Sequence, residues 1–152
     1  MQINSAKDLT VYTKAYALAM KVFQLSKEFP SEERFALTSQ IRRSSRSVCL
    51  NLREAWAKRR YQAHFVSKLT DCDGENSETD SSLDFARDCG YITAEQHEEL
   101  TSLNREIGKI LGELKDQGFD GNISIEYEYN WENSLPEVKK CVDFVRDYQG
   151  KK

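Results

Sequence analysis

LTDCDGENSETDSSLDFA, Leu69 to Ala86, is the stretch whose reading decides the fold. Five acids crowd positions 71 to 80, at 71, 73, 75, 78 and 80, and the stretch has no basic residue and one glycine. Such a stretch is either a calcium loop or a helix with a polar interior. An EF-hand loop needs oxygen ligands at its positions 1, 3, 5 and 12 and glycine at 6. Counted from Asp71, positions 1 and 3 are Asp71 and Asp73, and position 5 is Glu75, longer than usual. Position 6 is Asn76 and position 12 is Ser82, so the turn glycine and the bidentate glutamate are both missing. The helical reading absorbs more of the sequence. Phe65, Leu69, Cys72, Asn76, Thr79, Leu83 and Ala86 step by four and three without a break, and the five acids fall off that stripe. No metal site is expected. The helix then turns Asn76 and Thr79 inward, where an unpaired polar group costs about 1–3 kcal/mol. A single Asn in a helical seam can fix register or oligomer state. Asn76 and Thr79 are therefore expected to make polar contacts across the bundle or to a neighbouring subunit, unless this face is only partly covered and wet.

The same period extends to both sides. Val11, Ala15, Leu18, Val22, Leu25 and Phe29 mark a first helix that ends at Pro30. Ser31 is the expected N-cap of a second, with Glu32 and Glu33 suited to its first turn. That helix is expected from Glu33 to Arg60, lined inside by Ile41, Ser45, Val48, Leu52 and Ala55. The third runs from Gln62 to Cys89 and stops at Gly90, a good C′ residue. Thr93 and Gln96 form a capping-box pattern that opens a fourth, with Leu100, Leu103, Ile107, Ile110 and Leu114 as its stripe and Gly118 or Gly121 as its stop. The tail changes period: Ile123, Ile125, Tyr127, Tyr129 and Trp131 alternate as in a strand, and SLPEVKKCVDFVRDY reads as a short helix. A lone strand leaves backbone groups unpaired. It pairs with a second copy or another protein, or else the tail is merely extended. The fold class is all-α: an up-down four-helix bundle over residues 1–118, with an extension over 119–152 made of a short strand and a short helix.

Composition agrees with one helical domain. The 152 residues include only 2 prolines and 7 glycines, with 31% charged and 39% apolar. The net charge of −3 gives no global nucleic-acid signal. No run of 18 apolar residues and no signal peptide is seen, so a soluble, cytoplasmic protein away from membranes is expected. The 4 cysteines, at 49, 72, 89 and 141, form no close pair, so reduced thiols are expected and zinc is not.

One segment departs from the acidic total. Residues 41 to 60 hold Arg42, Arg43, Arg46, Arg53, Lys58, Arg59 and Arg60 against Glu54 alone, a local charge of +6. Arg42, Arg46, Cys49, Arg53, Trp56 and Arg60 step by four and three, about 100° of helix from the inner stripe. Three readings fit. The row can be a solvated face paired to acids on neighbouring helices. It can be a subunit contact that meets the acids of Asp71 to Asp80 on another copy. Or it can bind nucleic acid, arginine matching phosphate and Trp56 stacking on an unpaired base.

Catalytic signatures are missing. His64 and His97 have no metal-ligand spacing, Ser44, Ser45 and Ser47 have no nucleophile elbow, and no glycine-rich phosphate loop occurs. Neither an enzyme nor a cofactor is expected.

DLTVYTKAYALAMKVFQLSKEFPSEERFALTSQIRRSS, from Asp8 to Ser45, resembles the start of a bacterial four-helix-bundle family whose founding members are encoded in intervening sequences of 23S ribosomal RNA genes. Asn51 and Glu54, DCGYI at 88–92 and EIGKIL at 106–111 match later landmarks, so the resemblance spans about residues 8–115. It implies a ring-forming up-down bundle, a pentamer. Relatives include the accessory protein of diversity-generating retroelements, a ring-shaped partner of a reverse transcriptase and its nucleic acid. That implies RNA or DNA and a reverse-transcriptase-like protein as partners. The family pattern usually has proline at Cys49, glycine at Ala55, and leucine near Asn76 and Thr79. Helix two is therefore expected to be straighter here and helix three more polar.

Overall fold

Four helices and two short 3₁₀ turns account for the residues described by the structure, a computed structural model covering 4–116. The helices are α1 (Thr10–Leu25), α2 (Leu37–Ala57), α3 (Gln62–Asp88) and α4 (Ala94–Asp116). They belong to one compact unit, and no strand occurs among the described residues. The extension over 119–152, with its expected strand and final helix, lies outside the described residues.

Helix ends follow local chemistry, in places not where the pattern put them. α1 stops at Leu25 rather than Phe29. The Lys27 and Glu28 amides bond three residues back, to Gln24 and Leu25 at 3.3 and 3.1 Å, which tightens the chain into turns. Residues Ser31–Phe35 form a separate 3₁₀ turn, so Ser31 does not cap α2. The Glu33 carboxylate takes that part, accepting the Leu37 amide at 3.1 Å. α2 is unbroken to Ala57 and ends there, leaving Lys58, Arg59 and Arg60 in the following turn.

The last junction is as expected. Gly90 has φ 76°, the Tyr91 amide donates to the Ala86 carbonyl at 2.8 Å, and the Gly90 amide to Arg87 at 2.9 Å: a Schellman cap. Thr93 Oγ1 accepts from the Gln96 amide at 3.1 Å, while Gln96 Oε1 accepts from the Thr93 amide at 2.8 Å. This explains DCGYI: the glycine bends the chain and Ile92 drops into the core, 7% exposed.

Cross-helix contacts show that neighbours run antiparallel: Arg43–Glu78 and Asn51–Lys68 join α2 to α3, and Lys14–Glu106 and Lys21–Glu99 join α1 to α4. Each helix packs on its two neighbours around the ring, and α1 closes on α4. No helix is long and apolar enough to cross a membrane among the described residues.

The core is the expected stripe on α2 and α3. Ile41, Ser45, Val48, Leu52 and Ala55 are buried, as are Phe65, Leu69, Cys72, Asn76, Thr79, Leu83 and Ala86. On α4 the stripe is rotated. Leu100 and Ile107 are buried with Asn104 and Leu111, while Leu103, Ile110 and Leu114 only flank the core. Asn104 is turned inward because Asn76 faces it.

Candidate nucleic-acid interface

Leu69 to Ala86 is uninterrupted helix, and its acids have mostly found partners. Asp71 pairs with Lys68 at 3.1 Å and Asp73 with Lys115 at 2.7 Å. Glu78 pairs with Arg43 at 3.0 Å, and Asp84 lies 2.8 Å from His97 Nε2. Glu75 differs: one carboxylate oxygen is buried without a donor, and burial, with Glu78 nearby, holds its pKa above the usual value. Among the described residues no three His, Cys, Asp or Glu side chains gather as a metal-holding group.

The inward polar residues bond within the chain. Asn76 Nδ2 donates to the Asn104 carbonyl at 3.1 Å, and Asn104 Nδ2 donates to the Asn76 carbonyl at 3.2 Å and to Asp80 at 3.3 Å. Thr79 Oγ1 lies 2.8 Å from the Glu75 carbonyl and 2.9 Å from Ser44 Oγ, which ties α3 to α2. Asn76 and Thr79 thus make bundle contacts. The Oδ1 atoms of Asn76 and Asn104 are buried and accept nothing from the described residues.

The α2 cations divide into two groups. Arg43 is taken by Glu78. Arg42, half-buried, donates from Nε to Ser26 Oγ at 2.7 Å and lies 5.1 Å from the Phe23 ring centre. Arg59 lies 4.4 Å over the half-buried Trp56 ring and donates to the Trp56 carbonyl at 2.8 Å, a fitting place for a cation at a helix C-terminus. Arg46, Arg53, Lys58 and Arg60 are exposed and form no ion pair among the described residues. Of the seven basic groups, one pairs with an acid of a neighbouring helix. Lys68 takes Glu54 instead, at 2.8 Å; the hydrogen bond and the charge of Lys68 hold the Glu54 pKa below its usual value.

The row is not quite the one drawn from spacing. Cys49 within it is buried at 7% exposed, and burial pushes its thiol to about 11. Arg60 lies past the end of the helix, so it belongs to the turn rather than to the helical row. Spacing along α2 does not reveal what α1 contributes. Tyr12, Tyr16 and Phe23 share one side of α1, and Tyr12 stacks on Tyr16 at 6.4 Å. Phe23 touches Arg46, and Tyr16 and Arg53 each stand seven residues away, about 10 Å, in the same direction because the helices are antiparallel. The aromatic side of α1 thus meets the α2 arginines at Phe23 and continues to Tyr16, which is 54% exposed. Spacings of four and seven beside the Val11–Ala15 stripe were the available signal.

No curated protein matches this chain. A protein of unknown function from Bacteroides thetaiotaomicron, described as belonging to the S23 ribosomal protein family, has a solved structure with TM-score 0.66 and 32% sequence identity. The match covers 72% of this chain and 98% of that one. The family model described as "23S rRNA-intervening sequence protein" matches residues 7–113, which take in all four helices except the last turn of α4. With that match over more than half of its length, the chain belongs to the 23S rRNA-intervening sequence protein family.

Proposed function

We propose that this chain is a non-enzymatic, oligomeric helical bundle of the cytoplasm that binds structured RNA or DNA through the exposed cations of α2 and of the turn that follows it. One observation carries the reading: Arg46, Arg53, Lys58 and Arg60 stand in solvent without acid partners among the described residues, Arg46 over the Phe23 ring, while the acids of α3 are largely taken up elsewhere. A solvated face built for stability would pair its arginines with those acids. Free guanidinium groups suit phosphate, and rings such as Tyr16 and Trp56 suit unpaired bases. By resemblance, the oligomer is a pentameric ring and a reverse-transcriptase-like protein is a further partner.

The test is fluorescence anisotropy of a structured ribosomal RNA fragment at low and moderate salt. Binding should weaken steeply with salt, and the log–log slope should fall by about one for each phosphate-binding arginine replaced by alanine at 46, 53 and 60. No binding at low salt refutes the reading.

A second reading, an assembly module whose stripe lies in subunit contacts, rests on Leu50. It is 64% exposed, and Arg46, Leu50 and Arg53 step by four and three on one face. Light scattering on Leu50→Glu tests it. A drop in mass with RNA binding intact separates the two surfaces.

A further inference from the structure

Three cations converge on one ring at the α1–α2 seam. The charged groups of Lys27, Arg42 and Arg46 lie 4.8, 5.1 and 5.4 Å from the centre of Phe23. None of the three makes an ion pair among the described residues. Their hydrogen-bond partners are neutral. Ser26 Oγ, in a residue 2% exposed, accepts from Arg42 Nε, and Gln24 Oε1 accepts from Lys27 Nζ at 2.7 Å. The scaffold orients these charges without neutralising them. The carbonyl end of α1 favours a cation beside Ser26, which accounts for Lys27 and Arg42. It does not account for Arg46, one turn further along α2 and exposed.

We infer that Lys27, Arg42 and Arg46 form a seat for a phosphate group, with Phe23 as its floor. This rests on the nucleic-acid reading for the source of the phosphate, either a terminal phosphate or one within a strand. Among the described residues Arg42 commits only Nε, so its two NH₂ ends remain available, and Arg46 keeps its whole fork. Donors from three cations gathered at the same ring suit the oxygens of a phosphate, and the charge exceeds what one carboxylate would balance. Lys27 belongs to α1's end and not to the α2 stripe, which makes it the informative residue.

The experiment uses the full chain and a labelled ribosomal RNA fragment in 5′-phosphorylated and 5′-hydroxyl forms. Lys27→Gln should weaken binding about three- to tenfold and lower the salt slope by about one, and Lys27→Arg should restore both. A loss confined to the 5′-phosphorylated RNA assigns a terminal phosphate; an equal loss in both assigns a strand phosphate. If Lys27→Gln binds like the parent while Arg46→Gln and Arg53→Gln weaken binding, the seat is overturned and the stripe stands. If the parent binds neither RNA, the stripe reading falls, and ³¹P line broadening of inorganic phosphate decides the seat. Broadening lost in Lys27→Gln keeps the seat as a free-phosphate site, and no broadening overturns it. Binding of a polyglutamate peptide through Lys27, without RNA or phosphate binding, overturns the phosphate and assigns an acidic protein segment.

Discussion

Replacing Asn76 with leucine should stabilise the bundle, although Asn76 bonds across its core. The Asn76 amide contributes one hydrogen bond, 3.1 Å to the Asn104 carbonyl, worth about 1 kcal/mol net. That carbonyl keeps its own helical donor when the amide is gone. On the other side, Asn76 Oδ1 is buried with no donor, a state that costs about 1–3 kcal/mol and vanishes with the substitution. A buried leucine adds about 1.5–3 kcal/mol of apolar transfer, with a few tenths from helix propensity. Crowding from its extra bulk takes back about 1–3 kcal/mol, held toward the low end because Gly108 faces the amide across the seam. The Asn104 amide loses nothing, since it donates to the backbone of residue 76 rather than to its side chain. The balance is a gain of about 2 kcal/mol, or about 4–8 °C in Tm for a chain of this length. Urea unfolding followed by circular dichroism, with calorimetric Tm, measures it. A loss of more than about 1 kcal/mol would refute the reasoning. It would mean that Oδ1 is satisfied and that the Asn pair is a net stabilising staple.

Glycines should split by their surroundings. A Cβ at Gly74 or Gly112 meets nothing within 4 Å, so Gly74→Ala and Gly112→Ala should each add about 0.8–1 kcal/mol, whereas Gly108→Ala, whose Cβ would stand 3.2 Å from Asn76 Nδ2, should gain less or lose stability in the same unfolding assay. Glu75 has a raised pKa in the folded state, so its contribution is most favourable below the unfolded carboxylate value and is lost as pH rises through the folded one. Stability curves of Glu75→Gln against pH should lack that loss, and the variant should be more stable than the parent at neutral pH. Burial pushes the Cys49 and Cys72 thiols up to about 11 and about 12. Iodoacetamide at neutral pH should label Cys89 and spare both until the chain unfolds, as read by peptide mass mapping.

The heptad stripe of α3 was fully legible because a helix buried on one face leaves its period in the sequence whatever the solvent face carries. All seven stripe residues are inside, despite six acids interleaved among them. α4 was read one step out because its buried face includes a polar residue. Asn104 is inward only because Asn76 stands opposite, and nothing in α4's own residues announces that pairing. The ends of α1 and α2 were misjudged for a related reason. The Gln24 and Leu25 carbonyls and the Glu33 carboxylate take backbone amides that a pattern of apolar positions would assign to a longer helix. The Thr93 cap and the Gly90 turn were legible because they are local chemistry, complete within a few residues.

Charge behaves differently from burial, and this decides how far a functional reading can start from sequence. The +6 of residues 41–60 is visible in the chain, but which cations remain free is a property of packing. Arg43 faces α3, where Glu78 takes it, while Arg42 and Arg46 face α1, which offers Phe23, Ser26 and no acid. One helical residue of rotation separates the two fates. Most acids of α3 are held by Lys68, Lys115, Arg43 and His97, which leaves Arg46 and Arg53 without an acid partner among the described residues. A net charge of −3 thus coexists with a local cationic edge, and at physiological salt a phosphate within about 8 Å responds to that edge rather than to the total.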